Sequence, residues 1–363
     1  MTTLFDPLPL RGITLPNRIA VSPMCQYSAQ DGLANDWHLV HLGTRAAGGA
    51  GLVIVEATAV VPEGRISPQD LGIWSDDHVP PLARITAFVK SQGAVPGIQL
   101  AHAGRKASTL RPWAGSGAVP IGQGGWQPVA PSAIRFADDY PQPRAMSLDE
   151  IAAIPGQFAA AAQRALAAGF ELVELHAAHG YLLHQFLSPI SNQRTDAYGG
   201  SFAHRTRLLL ETIEAVRGVW PAHLPLIVRL SATDWAEPGV DAWDAAQSVA
   251  LSRRMRELGV DLVDVSSGGM LAHAHIPVGP GYQVGFAEQI KREAGIAVGA
   301  VGMITTAEQA AAIVDDGRAD VVLLARELLR DPYWPLHAAQ TLGVTPRWPA
   351  QYLRAAPKGA LAR

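Results

Sequence analysis

The sequence is short of cysteine, of charge and of long apolar runs. Cys25 is the only cysteine in 363 residues, so no internal disulfide forms, and no Cys/His cluster has the spacing of a structural zinc site. Both absences suit a reducing compartment, with the cytoplasm as the expected location. Charged residues make up 17% of the chain, the formal net charge is -3, and the basic side chains are scattered. No nucleic-acid surface or anionic-membrane patch is therefore expected. No window approaches the roughly 18 uninterrupted apolar residues of a spanning helix, and Met1 to Pro9 lack the basic-then-apolar pattern of a secretory leader. What remains is a chain with 48% hydrophobic residues. That composition excludes disorder and fits an enzyme with a large core acting on small molecules.

Periodicity gives the architecture. Short β-rich runs are predicted as strands at Arg18 to Val21, Leu52 to Glu56, Val95 to Leu100, Leu172 to His176, Leu226 to Leu230, Leu262 to Ser266, Ala297 to Val301 and Val321 to Leu324. Helical spacing separates them at Trp37 to Ala47, Pro80 to Ser91, Leu148 to Ala168, Phe202 to Arg217, Asp241 to Leu258, Phe286 to Ala294, Thr306 to Asp315 and Pro332 to Leu342. Ser147, three residues before Glu150, reads as a capping box, and Gly169 and Gly259 stand where a helix ends at positive φ. Eight strand-helix units are the number that closes a barrel, so the expected fold is α/β, a single (β/α)8 TIM barrel formed by residues 1–363 as one domain. The longest connection, Ala101 to Met146 after the third strand, is rich in Gly, Pro and Trp. A loop of that length in a compact domain is expected to cover an active site.

Reacting groups of such barrels project from the C-terminal ends of the strands. Here those ends supply Ser22 to Tyr27, Gln99 to Lys106, His176 to Tyr181, Arg229, Ser266 to Gly269 with Gly268 among them, Val301-Gly302, and Ala325-Arg326. Glycines after the late strands beside an arginine suit a phosphate, although each glycine alone is equally a turn residue. Arg229 at the end of an apolar strand needs an anionic partner. That partner is either a carboxylate such as Asp234 or an anionic cofactor group. His176 and His179 allow two readings: metal ligands, with His102 and a carboxylate such as Glu174, in a metal-dependent barrel hydrolase, or a hydrogen-bonding clamp that polarises a carbonyl oxygen. Tyr181 is a usable proton donor or a packed aromatic, and Cys25 is either a thiol beside a cofactor ring or a small buried hydrophobe.

The runs Pro16-Asn17-Arg18-Ile19, Ser22-Pro23-Met24-Cys25-Gln26-Tyr27, Gln99-Leu100-Ala101-His102-Ala103-Gly104-Arg105-Lys106, His176-Ala177-Ala178-His179-Gly180-Tyr181 and Asn192-Gln193-Arg194-Thr195-Asp196 resemble those of the Old Yellow Enzyme family. Cys25 and the run Gln351-Tyr352-Leu353-Arg354 are similar to its thermophilic-like branch of NADPH-dependent ene-reductases. The likeness spans about residues 4 to 354. It implies FMN held by Ser22, Pro23, Met24, Cys25, Ala57, Gln99 and Arg229 around its ring, and by Gly302, Ala325 and Arg326 at its phosphate. It implies reduction by NADPH, a clamp of His176 and His179 on an α,β-unsaturated carbonyl or nitro compound, closure by Tyr27, and protonation by Tyr181. It further implies a homodimer or homotetramer in which Arg354 reaches a neighbouring subunit. Ala325 replaces the glycine usual before Arg326, and a positive φ there would be strained.

Overall fold

The computed structural model describes residues 3–362. Its centre is a closed barrel of eight parallel strands in sequential order: β1 (Ile19–Val21), β2 (Leu52–Ala59), β3 (Val95–Ala101), β4 (Leu172–Ala177), β5 (Leu226–Ser231), β6 (Leu262–Ser266), β7 (Ala297–Ala300) and β8 (Val321–Leu324). Each expected strand is present. β2 runs past Glu56 because its register against β3 shifts between Val55 and Thr58, a bulge that re-aims the residues inside it, Ala57 among them. β7 stops one residue short of the expected end because the Val301 carbonyl accepts from the Gln283 side chain (2.8 Å).

Around the barrel lie α1 (Asp36–Ala47), α2 (Val79–Ser91), α3 (Leu148–Ala167), α4 (Leu182–Leu187), α5 (Phe202–Val219), α6 (Ala245–Glu257), α7 (Val284–Ala294), α8 (Ala307–Asp315), α9 (Arg326–Arg330) and α10 (Trp334–Thr341). The capping box of α3 forms as expected: Ser147 Oγ accepts from Glu150 N (3.2 Å) while Glu150 Oε2 accepts from Ser147 N (2.8 Å). Gly169 and Gly259 both take positive φ. α6 begins later than expected, at Ala245 instead of Asp241, because Asp244 is the residue that caps Gln247 N (2.8 Å). The preceding residues 241–244 are irregular, and there Trp243 N donates to Asp234 Oδ2 (2.9 Å). α4 and α9 escape a periodicity reading: α4 is only six residues long and buried on every side, so it has no polar face to mark a period.

Alternation along the strands sorts the interior into layers. Leu52, Leu172, Ile227 and Leu262 fill the N-terminal end of the barrel, closed by the antiparallel pair Leu8–Leu10 and Ile13–Leu15. Two residues further along β4, β5 and β6 the same inward face carries the polar groups Glu174, Arg229 and Asp264, and β3 adds Gln99 beside Glu174. The outward face packs against the helices in the larger apolar core, including Val53, Val173, Val228, Val263 and Phe158. Among the described residues no helix is long and apolar enough to cross a membrane.

Residues 102–147 fold over the barrel mouth. Short helical turns (Gly104–Lys106, Pro112–Ala114, Ile121–Gln123) and a small paired segment, Val129–Ala130 with Arg144–Ala145, replace an open loop. Arg105 Nη2 donates to the Met270 carbonyl (2.7 Å), pinning this segment to the loop after β6.

Candidate active site

The end of β4 sets the central group. His176 is the last inward residue of that strand, and its Nδ1 accepts from Ala178 N (3.2 Å). Burial, then Arg229, holds its pKa well below the usual histidine value. The ring is therefore neutral, with its proton on Nε2, and that atom has no hydrogen-bond partner among the described residues. His179 sits at φ 57, its N donating to Ser231 Oγ (2.9 Å) and its Nε2 lying 2.7 Å from Ser266 Oγ. Burial and Arg229 keep it neutral as well. The two imidazoles stand edge to face with centroids 5.2 Å apart, and the Tyr181 ring is 4.8 Å from His176. Three residues of one turn thus converge on one spot. Burial pushes the Tyr181 phenol far above its ordinary value, with Cys25 and Tyr27 next among the causes, so it keeps its proton.

Two groups that sequence reasoning did not single out hold this turn. His184 on α4 accepts from Gly180 N with Nδ1 (2.9 Å) and presents Nε2 to Asp234 Oδ1 (3.0 Å); both side chains are fully buried. Lys106 Nζ donates to the carbonyls of His179 (2.9 Å) and Gly269 (3.1 Å) and lies over the rings of Phe136 (4.3 Å) and Tyr181 (5.2 Å). Desolvation, then Arg105, lowers its pKa to about 7. Its charge is present below that pH and lost above it. A cation beside the clamp favours negative charge developing there. For an enone, kcat/KM is therefore expected to fall as pH rises through about 7, and pH profiles of Lys106→Met should lack that inflection.

Arg229 does find a carboxylate, but not Asp234, which is taken by His184, Ser188 and Trp243. The partner is Asp264, directly across from it in the β5/β6 register, with Nε 3.0 Å from Oδ2 but off line for a hydrogen bond. Neither Nη atom bonds to a described residue. Beside them Gln99 Nε2 donates to Glu174 Oε1 (2.6 Å). Glu174 belongs to this cluster and not to a metal site. His102 uses Nδ1 to accept from Gly104 N (3.0 Å), and among the described residues no group of three or more His, Cys, Asp or Glu could hold a metal ion.

On the opposite side, Ser22 follows β1 with its N bonded to the Leu324 carbonyl (3.0 Å) and its buried Oγ without a partner. Pro23 and Met24 continue to Cys25, a half-buried thiol pushed well above its ordinary pKa by burial, then by Asp70 and Glu56. It is a neutral donor, not a thiolate. Tyr27, at φ 49, meets the edge of Trp113 from the covering segment (6.0 Å). Asp70 and Glu56, both buried, back this loop, with Glu56 Oε1 accepting from Gln26 N (3.0 Å).

Gly302, Ala325 and Arg326 meet around a cavity of about 250 Å³ shared with Tyr282, Gln283 and Met303. Gly302 is needed there: its φ is 126, and a Cβ would come within 2.8 Å of Gln283 Nε2. Ala325 sits at φ -105, so the strain expected of a positive φ is absent. Gly268 stands apart from this cavity, its N–H committed to the Thr233 carbonyl (2.8 Å). Arg354 is exposed near the C-terminus. A larger recess of about 440 Å³, lined by Pro16, Asn17, Gly49, Gly93 and Arg347 among others, opens at the other end of the barrel, where the strands begin.

The buried Ser22 hydroxyl and the Arg229 Nη atoms, without partners among the described residues, stand at the barrel mouth with Gln99, and an exposed arginine lies at an adjoining cavity; these residues fit FMN, which Ser22, Gln99 and Arg229 would hold at the ring and Arg326 and Gly302 at the phosphate. The fold and rim define a flavin-dependent barrel oxidoreductase. The sequence profile of the NADH:flavin oxidoreductase / NADH oxidase family matches residues 3–344. NADPH dehydrogenases are similar: that of Geobacillus thermodenitrificans is 51% identical over 97% of this chain and 98% of its own length, and that of Bacillus subtilis is 48% identical over 97% and 98%. Among solved structures, morphinone reductase in complex with tetrahydroNAD superposes with a TM-score of 0.77 (30% identity, 94% of this chain, 91% of that one). An old yellow enzyme homologue from Zymomonas mobilis gives 0.78 (28%, 95% and 94%). The chain belongs to this family, that of the Old Yellow Enzymes. It is an FMN-dependent, NAD(P)H-consuming oxidoreductase of the ene-reductase type.

Proposed function

We propose that the rim divides the reduction of an activated alkene among its residues. The observation that carries this reading is the convergence of His176, His179 and Tyr181 on one spot, with both imidazoles neutral and His176 Nε2 free to donate. Two neutral donors bind the oxygen of an α,β-unsaturated carbonyl or nitro compound and favour the charge that gathers on it as the β-carbon is reduced. FMN, when bound, would supply hydride transfer from NADPH to the alkene, and use of one site by both partners gives ping-pong kinetics. Ser22, Pro23, Met24, Cys25, Ala57 and Gln99 line the ring, with the neutral Cys25 thiol available as a donor to it. Arg229 faces the ring edge where negative charge collects, and Gly302 and Arg326, beside Ala325, hold the phosphate. Tyr27 closes over the substrate against Trp113. The protonated Tyr181 phenol supplies the proton to the α-carbon. Its donor role rests on the hydroxyl, so Tyr181→Phe should slow reoxidation by cyclohexenone at least about 10-fold while leaving the rate of reduction by NADPH within twofold. Stopped-flow measurement of the two half-reactions decides this. Equal slowing of both would contradict it.

Arg354, exposed and without a partner among the described residues, suits a role in a neighbouring subunit's site, in a cytoplasmic homodimer or homotetramer. In a sample confirmed as an oligomer, Arg354→Ala should raise the KM for the alkene several-fold without changing the oligomer. An unchanged KM removes this part of the reading.

A further inference from the structure

Below the rim, three ionisable groups and one amide share the barrel interior: Glu174 from β4, Asp264 from β6, Arg229 from β5 and Gln99 from β3. Glu174 and Asp264 are 0% exposed, Arg229 5% and Gln99 2%. If all three charges were present, the cluster would carry an excess negative charge in a medium where an uncompensated one costs several kcal/mol. The contacts show how the excess is avoided. Glu174 Oε1 accepts from Gln99 Nε2 (2.6 Å), Asp264 Oδ2 is 3.0 Å from Arg229 Nε, and Glu174 Oε2 with both Asp264 oxygens is buried without a hydrogen-bond partner among the described residues. One guanidinium balances one carboxylate, so the second buried acid must keep its proton, and the acid farther from the cation is the one to hold it. Burial, then Asp264, raises the pKa of Glu174, while Arg229 opposes the rise at Asp264. The other ionisable groups nearby are His176 on β4, opposite Arg229 in register and neutral, with His184 on α4 and Lys106 in the covering segment.

We propose that Glu174 and Asp264 share one proton and together form a single negative charge beneath Arg229, a positioning pair that limits the pull of Arg229 on the flavin ring and so sets its reduction potential. The proposal rests on the reading that Arg229 faces the ring. Electron uptake places negative charge on the flavin, which a nearby cation favours. A guanidinium stripped of its counter-ion would therefore raise the potential.

The test is the reduction potential of FMN in the holoenzyme, measured by anaerobic equilibration against a reference dye. Glu174→Gln exchanges a neutral acid for a neutral amide and should leave the potential unchanged. In Asp264→Asn, Glu174 can ionise and take over the charge, so the shift should be small. The double variant has no acid left and should show a clear rise, larger than the two single shifts added. A rise in Glu174→Gln alone, a shift in Asp264→Asn as large as that of the double variant, or no rise in the double variant each overturns the proposal. Arg229→Gln separates it from the reading beneath it. A fall in potential there upholds the placement of Arg229 whatever the acids do, whereas no change defeats both. Should the double variant not fold, infrared spectra of the unmodified holoenzyme and of Glu174→Gln in D2O still decide: a protonated-carboxyl band must disappear on that substitution, and its persistence overturns the proposal.

Discussion

Replacing His176 with alanine is expected to lower kcat/KM for an α,β-unsaturated ketone by about 10²–10³-fold, the usual cost of removing one preorganised donor to a developing oxyanion. The protein should still fold and take up flavin. The loss in the fold is one bond, leaving Ala178 N without its acceptor (3.2 Å), which costs about 1–3 kcal/mol. His179→Ala should behave similarly, since its ring stands beside that of His176, with centroids 5.2 Å apart. Because both imidazoles are held neutral by burial and by Arg229, they act as neutral N–H donors. An uncharged amide can therefore substitute, and His179→Asn should retain more activity than His179→Ala. Neither histidine should produce an inflection between pH 6 and 8. Any inflection seen there belongs to Lys106, and steady-state profiles of the single variants assign it.

Gly302→Val is expected to weaken FMN binding by at least about 100-fold, equivalent to some 2.7 kcal/mol, with the apoprotein still folded. Two causes add. A β-branched residue is strained at φ 126, and its Cβ would come within 2.8 Å of Gln283 Nε2 and 3.0 Å of the Tyr282 ring. Gln283 cannot yield freely, because it ties the Val301 carbonyl (2.8 Å) to Ser267 Oγ (2.6 Å) and so joins the ends of β6 and β7. Displacing it distorts the cavity that Ala325 and Arg326 also line. Quenching of flavin fluorescence gives the affinity and circular dichroism the fold. Arg326→Ala, which removes charge without crowding, should weaken binding less, and its deficit should shrink at high salt.

The barrel was legible because its signals are local and repeated. Each strand is a short apolar run, α3 announces itself through Ser147 and Glu150, and Gly169 and Gly259 mark the exits of helices. The rim was legible by position: residues that end strands gather at one mouth whatever their separation in sequence. What escaped depends on contacts that no local pattern encodes. Asp234 lies near Arg229 along the chain whereas Asp264 is on the next strand, and only the register of β5 against β6 shows that Asp264 pairs with it. Strand alternation could have found this, since Glu174, His176, Arg229 and Asp264 all sit at inward positions. Gly268 looked like a phosphate donor until the loop after β6 gave its N–H to Thr233. Lys106 and His184 act through the backbone of the turn at His179 and Gly180; no spacing rule links the Lys106 side chain to a carbonyl so far along the chain, and the His184 bond to Gly180 N depends on a turn that no pattern announces.

The central claim is that this rim holds FMN and passes electrons from NADPH to an activated alkene, and the visible spectrum of the purified protein under anaerobic conditions tests it most directly. A yellow protein whose flavin band bleaches with one equivalent of NADPH and returns on adding cyclohexenone is the predicted result. A colourless protein that takes up no FMN when supplied, or a bleached flavin that cyclohexenone leaves reduced, would contradict it.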